Sequence, residues 1–323
     1  MKKLTSALLA SAISLTAAQA FAADTKLRVA HTNAANEVQD MGLQRLNELL
    51  TAKTGGTFGL EIFPGGVLGG ETEQIEGVML GTLDLSLTAN AALSNYVEPL
   101  QVFDLPFLFA DIPAMSERVS SPEVFGTLQA AANDAGFQLL AVYSSGVRHI
   151  MTTKPVNAMS DLSSMKIRTM QNPIHLEAFR AYGANPTPMA YSEVYGAMQA
   201  NVVDGAENAA TNYNGEKLYE VAPNYATIGW MNMTAPLVMS KDAFDGLPSV
   251  VQTALMEAGA ESAAWQHGYV HEKEQPLLEA LAAKNVKITR PDTAPFIAAS
   301  QPLYNSVART DVQKALLGLL RAE

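Results

Sequence analysis

An arginine at the end of a short apolar segment is the residue whose type and position best suit ligand chemistry. Met165 to Ile167 reads as a strand, and Arg168 follows where that strand should end, before an irregular segment around Asn172-Pro173. The carboxyl ends of strands in α/β proteins border the ligand crevice. A guanidinium carries five N–H donors, stays protonated and pairs bidentately with a carboxylate. Arg168 is therefore predicted to capture an organic anion.

Patterns typical of enzymes fail on inspection. His267 and His271 lie four residues apart, but Glu272 follows the second histidine, so the HExxH arrangement of zinc hydrolases is not formed. The glycine pairs at 65–66 and 69–70 lack the lysine and hydroxyl residue of a phosphate loop. The chain has no cysteine and no G-x-S-x-G nucleophile elbow. We therefore expect no catalytic residue, no metal and no cofactor.

The elements before residue 90 alternate as βαβαβ, which is typical of a doubly wound α/β domain. The predicted strands are 27–30, 58–63 and 83–88, and the predicted helices are 38–52 and 71–80. Ligand contacts are expected at the carboxyl ends of these strands, where His31 and Asn90 lie. A helix over 123–135 and a strand over 138–143 follow, and residues 144–146 read as the crossover into a second domain.

The second domain is predicted to hold residues 165–208 and a helix near 216–221, before a strand at 234–239 returns the chain to the first domain. Neither domain is then continuous in sequence. Residues 247–284 are rich in helix formers and predict a helix of roughly 55 Å, long enough to bridge both domains. Pro276 should kink it. The alternative is two ordinary helices that break before Pro276.

Three ordered motifs carry a resemblance to a known family. The runs KIR at 166–168, PTPMAYSEVYGAMQ at 186–199 and VVDGAEN at 202–208 resemble the substrate-binding proteins of tripartite ATP-independent periplasmic (TRAP) transporters. The likeness extends over essentially the whole mature chain. It implies an α/β periplasmic binding protein of type II-like architecture, with two discontinuous lobes, a ligand cleft between them and a long bridging helix. Lobe I is predicted to comprise 23–145 plus 235–270, and lobe II 146–234 plus 271–323.

The resemblance also implies roles for individual residues. In the family, the arginine of the KIR motif forms a bidentate salt bridge with the substrate carboxylate, which assigns this role to Arg168. Arg148 matches a second arginine near the ligand. Asn208 matches a ligand contact, and its amide suits a hydroxylated acid because it both donates and accepts hydrogen bonds. Tyr191 matches an aromatic position that packs on the ligand, although a residue there could equally belong to the core.

Two positions depart from relatives of the resembled family. Asn90 stands where some relatives that bind amino sugars with a carboxylate have an acid, so its neutral amide argues against an amine-bearing substrate. Trp230 stands where relatives commonly have histidine, a change that would reshape the pocket. We expect both residues, with His31, to contact the ligand.

The beginning of the chain predicts export. Lys2 and Lys3, an apolar stretch from Leu4 to Ala18 and the A-x-A site Ala20-Phe21-Ala22 form a secretory signal peptide over 1–22, with an uncleaved anchor as the alternative. Its removal leaves 19 basic and 32 acidic residues, a net charge of −13. Such a chain lacks the basic surface that nucleic acid binding requires. The predicted location is the periplasm.

We interpret the chain as the solute-binding subunit of a TRAP transporter. By resemblance, it captures a sugar acid, such as a uronate or aldonate, or a C4-dicarboxylate, through hinge closure. It then delivers the acid to the small and large membrane permease subunits, and we expect it to act as a monomer. The alternatives are a binder of another hydroxy acid, oxo acid or organosulfonate, a sensor-linked binding protein that serves a receptor kinase, and a periplasmic enzyme using the same cleft.

Overall fold

The computed structural model describes residues 24–321, so the predicted signal peptide over 1–22 lies outside the described part of the chain. That part forms nine strands and twelve α-helices. The strands are β1 Thr25–Ala30, β2 Phe58–Phe63, β3 Leu85–Leu87, β4 Phe137–Thr152, β5 Lys166–Thr169, β6 Asn185–Pro188, β7 Gly205–Ala209, β8 Asn224–Ser240 and β9 Lys287–Thr289. The helices are α1 Val38–Lys53, α2 Glu71–Met79, α3 Asn90–Leu93, α4 Ile112–Ser120, α5 Pro122–Asp134, α6 Pro173–Ala181, α7 Val194–Gln199, α8 Ala210–Gly215, α9 Lys241–Asp245, α10 Ser249–Ala283, α11 Ala294–Val307 and α12 Asp311–Arg321. The predicted α/β class is confirmed.

The strands form two parallel groups joined by a long antiparallel pair. Their order is β2-β1-β3-β8-β4-β7-β5-β6, with β9 beside β8. The first group, β1 to β3, is parallel, as is the second, β5 to β7. Strands β4 and β8 are antiparallel to each other and to the group that each adjoins. The two central strands therefore carry the chain between the two halves of the molecule.

The central strands are longer than predicted, with 16 residues in β4 and 17 in β8. Their pairing shifts register between Ser144 and Val147 and again between Arg148 and Ile150. Gly146, between Ser144 and Val147, has a φ of 79°, and a Cβ there would lie 2.8 Å from the Cβ of Ala209. Such bulges and polar residues interrupt the alternation that marks a strand. The strands predicted at 138–143 and 234–239 are therefore shorter than β4 and β8.

Helix α10 connects the cores of the two halves. Leu255 packs in one core with Leu43 and Leu46 of α1, whereas Leu281 packs in another with Met198 and Tyr213. The helix runs for 35 residues through Pro276, so the alternative of two separate helices is wrong. None of the helices between residues 24 and 321 has the length and hydropathy of a membrane-spanning segment.

Shorter elements differ from the predictions in type. The Pro186-Thr-Pro188 segment forms β6 at the sheet edge, where proline is tolerated because no neighbour needs its N–H. Residues 191–193 form a 3-10 turn before α7, and the helix expected near 216–221 is a 3-10 turn at 218–220. The α4 helix was not predicted, although Asp111 caps it by accepting a hydrogen bond from the Ala114 N–H at 2.8 Å.

A buried histidine on α10 makes the fold sensitive to acid. The His267 Nε2 lies 3.0 Å from the Val142 carbonyl oxygen and Nδ1 lies 2.7 Å from the Ser116 hydroxyl, as in a neutral ring that donates through one nitrogen and accepts through the other. Burial lowers the pKa of His267 from 6.5 to about 4, against a small raising effect of the Val142 carbonyl. The unfolded chain therefore binds a proton below about pH 6.5 that the folded chain does not bind until about pH 4.

We expect this histidine to contribute stability that is fully present above about pH 6.5 and is lost as the pH falls toward 4, by about 3 kcal/mol at most. His267→Gln should remove that part of the pH dependence. Urea denaturation across this pH range measures the free energy of unfolding, and substitution of the exposed His271 by Gln is the matched control. A His267→Gln protein as acid-sensitive as the wild type would contradict the assignment.

Candidate ligand-binding site

Three neighbouring strands bring the two predicted arginines to the same place. On β4, Arg148 pairs with Ala209 of β7, and on β5, Arg168 pairs with Ala206 of the same strand. The β7 residue Glu207 lies between these positions. All three charged side chains are at least 95% buried, so each charge needs a partner within the protein or in a ligand.

Glu207 bridges the two arginines. Arg148 donates from Nε to Glu207 Oε2 at 2.7 Å and from Nη2 to the Glu207 carbonyl oxygen at 3.1 Å. Arg168 donates from Nη1 to Glu207 Oε1 at 3.4 Å. Burial, and then repulsion from Arg148, lower the pKa of Arg168 against the raising effect of Glu207. These three side chains thus carry two positive charges and one negative charge.

The backbone holds Arg168 in position. Its Nε and Nη2 donate to the Met189 carbonyl oxygen at 3.1 and 2.9 Å, and its guanidinium carbon lies 5.9 Å from the centroid of the Tyr191 ring. With the bond to Glu207, three of the five N–H donors are used. The remaining donors suit a carboxylate.

Two cavities that share lining residues lie beside this cluster. The outer cavity has a volume of about 630 Å³, and the deep one is a small chamber of about 20 Å³. Both are lined by Glu71, Arg168, Met170 and Tyr191. The deep chamber is also lined by Arg148, Asn208 and Asn212 from one side and by Thr32, Asn33 and Gln39 from the other. Polar groups from both predicted lobes therefore converge here.

Glu71 supplies an acid from the opposite wall. It is the first residue of α2, and its Oε1 accepts a hydrogen bond from the Ala89 N–H at 2.8 Å. Burial raises the pKa of Glu71, whereas that hydrogen bond and the charges of Arg168 and Arg148 lower it. The net shift is upward. A carboxyl at this place can accept hydrogen bonds from ligand hydroxyls and repels a second ligand carboxylate.

Four of the seven residues predicted from the sequence lie together on the deep chamber: Arg148, Arg168, Tyr191 and Asn208. The Asn208 Nδ2 donates to the Tyr191 hydroxyl at 3.4 Å, and its Oδ1 accepts from the Ala209 N–H at 2.9 Å. Burial raises the pKa of Tyr191, so its hydroxyl is neutral and can both donate and accept a hydrogen bond.

The structure does not bring the other three predicted residues, His31, Asn90 and Trp230, to either cavity. The His31 Nε2 pairs with Asp40 Oδ1 at 3.1 Å, and the Asn90 Nδ2 donates to the Leu100 carbonyl oxygen at 2.9 Å. Trp230 is fully buried, with its ring 5.0 Å from that of His175 in an edge-to-face contact. These side chains serve internal packing in this structure.

Sequence reasoning missed several residues of the site. Glu207 stood beside Asn208 in the DGAEN motif, and two predicted pocket arginines could have indicated that a buried acid must balance them. Glu71 was noticed only as the start of a helix. Gln39 carried no signal, and its Nε2 donates to the Ser145 hydroxyl at 3.1 Å only because α1 packs beside the bulge in β4. In residues 24–321, no three His, Asp or Glu side chains converge as metal ligands.

A two-lobed α/β fold with an arginine-lined cleft defines a solute-binding protein. Residues 29–311 match the model of the family described as bacterial extracellular solute-binding protein, family 7, and the chain belongs to this family of TRAP solute-binding proteins. The resemblance seen in the sequence is therefore confirmed. The family is one of binding proteins that act outside the cytoplasmic membrane.

Comparison with individual proteins agrees with this assignment. A solute-binding protein of Verminephrobacter eiseniae is 32% identical over 303 residues, 93% of this chain and 90% of the relative. The C4-dicarboxylate-binding periplasmic protein DctP of Rhodobacter capsulatus is 29% identical over 274 residues, 84% of this chain and 82% of the relative. A crystal structure of a TRAP periplasmic solute-binding protein from Xanthobacter autotrophicus Py2, with bound β-D-galacturonate, superposes with a TM-score of 0.88 at 29% identity, covering 92% of this chain and all of that one.

Proposed function

We propose that this protein captures a hydroxylated monocarboxylate of the sugar-acid class and delivers it to the membrane subunits of a TRAP transporter. The observation that carries the proposal is the cluster of Arg148, Glu207 and Arg168, in which two buried cations share one anion. One ligand carboxylate would complete the charge balance. Arg168 would be the principal anchor because its remaining donors and its rigid contact with Met189 suit a bidentate pair.

The rest of the chamber favours hydroxyl groups on the ligand. Amides of Asn33, Gln39, Asn208 and Asn212 line it, and each can both donate and accept a hydrogen bond. Glu71 adds an acceptor opposite the arginines. The outer cavity, at about 630 Å³, is within the size range of small-molecule sites. A polyhydroxylated acid would thus find partners along its length.

A C4-dicarboxylate is the second candidate, and the relative from Rhodobacter capsulatus favours it. Its second carboxylate would face Glu71 across the chamber, and the lining residues opposite the arginines include no lysine or arginine. Binding would require a protonated Glu71, so the charge distribution supports a sugar acid instead. We also propose that the protein is a periplasmic monomer that binds without catalysis. Loss of solute uptake in cells lacking the protein would distinguish transport from a purely sensory role.

A thermal-shift screen of ligand-free mature protein tests the ligand class. We expect D-galacturonate, D-glucuronate or D-galactonate to raise the melting temperature, because a ligand that binds only the folded state adds about 2.7 kcal/mol at 100 times its Kd. D-Galactose, which lacks the carboxylate, is the matched control, and succinate and malate represent dicarboxylates. Stabilisation by the dicarboxylates alone would overturn the sugar-acid proposal, and stabilisation by none of these acids would overturn the proposed anion site.

A further inference from the structure

Two carboxyl groups, those of Glu37 and Glu216, lie where the two predicted lobes meet. Glu37 precedes α1 in predicted lobe I, whereas Gly215 ends α8 in predicted lobe II and Glu216 follows it. The Glu37 carboxyl lies against Gly215 so closely that any side chain on Gly215 would overlap it. The carboxyl of Glu216 accepts a hydrogen bond from the backbone of Ala34. Residues 34–37 of one lobe and 215–216 of the other therefore interlock.

The contact between the two segments leaves one oxygen of the Glu37 carboxyl without a hydrogen bond. The Glu37 Oε2 is buried and has no hydrogen-bond partner among the described residues. The charged group that acts on it is Glu216, a second acid. Glu216 lines a cavity of about 210 Å³ between the 65–70 loop and Tyr191, so protons can reach the pair from the rim of the cleft.

The other titratable and charged groups near the pair do not neutralise it. Tyr191 feels both carboxyl groups but carries a neutral phenol. Asp40, in the first turn of α1, is itself an acid and pairs with His31 and Gln44. Lys284, which follows α10, donates from Nζ to Asn214 Oδ1 at 2.7 Å. A negative charge on Glu216 disfavours the ionised form of Glu37, so the pair is more stable with one of the two carboxyl groups protonated.

We propose that Glu37 and Glu216 form a proton-dependent latch, in which closing of the cleft takes up a proton and a rise in pH therefore weakens ligand binding. The latch rests on the proposed binding function for its ligand readout, but its chemistry is independent of which acid is bound. In an open cleft, water would reach Glu37, and its carboxyl would be ionised at neutral pH.

The direction of the pH dependence follows from the pKa of Glu37 in the closed and open states. Burial, with the charge of Glu216, raises the pKa of Glu37 from 4.5 to about 8 in this structure, which the latch takes as the closed state. Between these values the closed state binds one more proton than the open state. Closure is therefore most favourable at low pH and loses free energy until the pH exceeds about 8. The Kd should rise by up to about tenfold per pH unit within that window and level off above it.

Isothermal titration of D-galacturonate from about pH 5.5 to about pH 8.5, in buffers of different ionisation enthalpy, tests the latch. We expect the wild type to take up a proton on binding and to lose affinity as the pH rises. Glu37→Gln, which keeps the shape without the titration, should take up fewer protons on binding, and its Kd should depend less on pH, with Glu71 as the remaining buried acid of the chamber. Glu48→Gln, which changes an exposed acid of α1, is the matched control and should behave as the wild type.

Equal pH dependence in the wild type and Glu37→Gln would overturn the latch. Failure of D-galacturonate to bind the wild type at any pH would count against the proposed ligand instead. The titrations are then repeated with an acid that stabilises the wild type in the thermal-shift screen. A Kd for that acid with the same pH dependence in the wild type and in Glu37→Gln would reject the latch.

Discussion

Arg168→Ala is expected to weaken the binding of D-galacturonate by roughly 100- to 10,000-fold, the largest effect of any single change in the cleft. The substitution removes the donors that suit a ligand carboxylate and leaves that carboxylate buried beside fewer partners. Removing one member of a buried ion pair costs about 3 to 5 kcal/mol, which corresponds to this loss of affinity. Isothermal titration of the ligand-free proteins measures it directly.

The comparison needs two further variants. Arg168→Lys keeps the charge but loses the planar fork and the paired bonds to the Met189 carbonyl oxygen, so we expect an intermediate loss of affinity. Arg180→Ala removes an exposed arginine from α6 and should leave the Kd unchanged. If Arg168→Ala bound the acid as tightly as Arg180→Ala, the anchor would have to lie elsewhere, with Arg148 as the next candidate.

Glu207→Gln should have the largest effect on stability. The amide fills the same space but removes the carboxylate that bridges Arg148 and Arg168, so two buried guanidinium groups would lose the negative charge between them. We expect the free energy of unfolding to fall by about 3 to 5 kcal/mol. Urea denaturation of the ligand-free protein measures the loss.

A bound ligand carboxylate should partly restore the stability that Glu207→Gln removes. Because a ligand anion would return negative charge to the cluster, saturating D-galacturonate should stabilise this variant more than it stabilises the wild type. A double variant, Glu207→Gln with Arg148→Met, provides the control. Removing both partners of a buried pair costs less than removing one, so the double variant should be more stable than Glu207→Gln. Wild-type stability in Glu207→Gln would show that the bridge contributes little.

Arg168 and Glu207 have different roles in the charged cluster. Arg168 is held by backbone and by Glu207 in a geometry that leaves donors free, whereas Glu207 lowers the cost of burying both arginines before any ligand arrives. The site is thereby preorganised, and a ligand need not pay the full cost of assembling the cluster. The Glu37 and Glu216 pair acts on closure instead of on anion recognition, so its pH dependence should persist across ligands of one charge.

The family of this protein and much of its fold could be predicted from the amino-acid sequence. The three motifs between Lys166 and Asn208 identify the family, and four of the seven predicted contacts lie on one chamber. The βαβαβ start and the long helix were also recognisable, because periodicity and helix-forming composition are local properties. Arginine chemistry alone indicated an anion.

Tertiary structure decided which side chains reach the chamber. His31 and Asn90 lie near strand ends as predicted, but the His31 Nε2 pairs with Asp40, the Asn90 Nδ2 donates to the Leu100 carbonyl oxygen, and neither side chain lines the chamber. Trp230 fills a core beside His175. Glu207 and Glu71 have roles that depend on Arg168 and Ala89, which lie 39 and 18 residues away from them in sequence. A local pattern specifies where a strand or helix runs, whereas the register, bulges and packing that aim each side chain depend on contacts between distant segments.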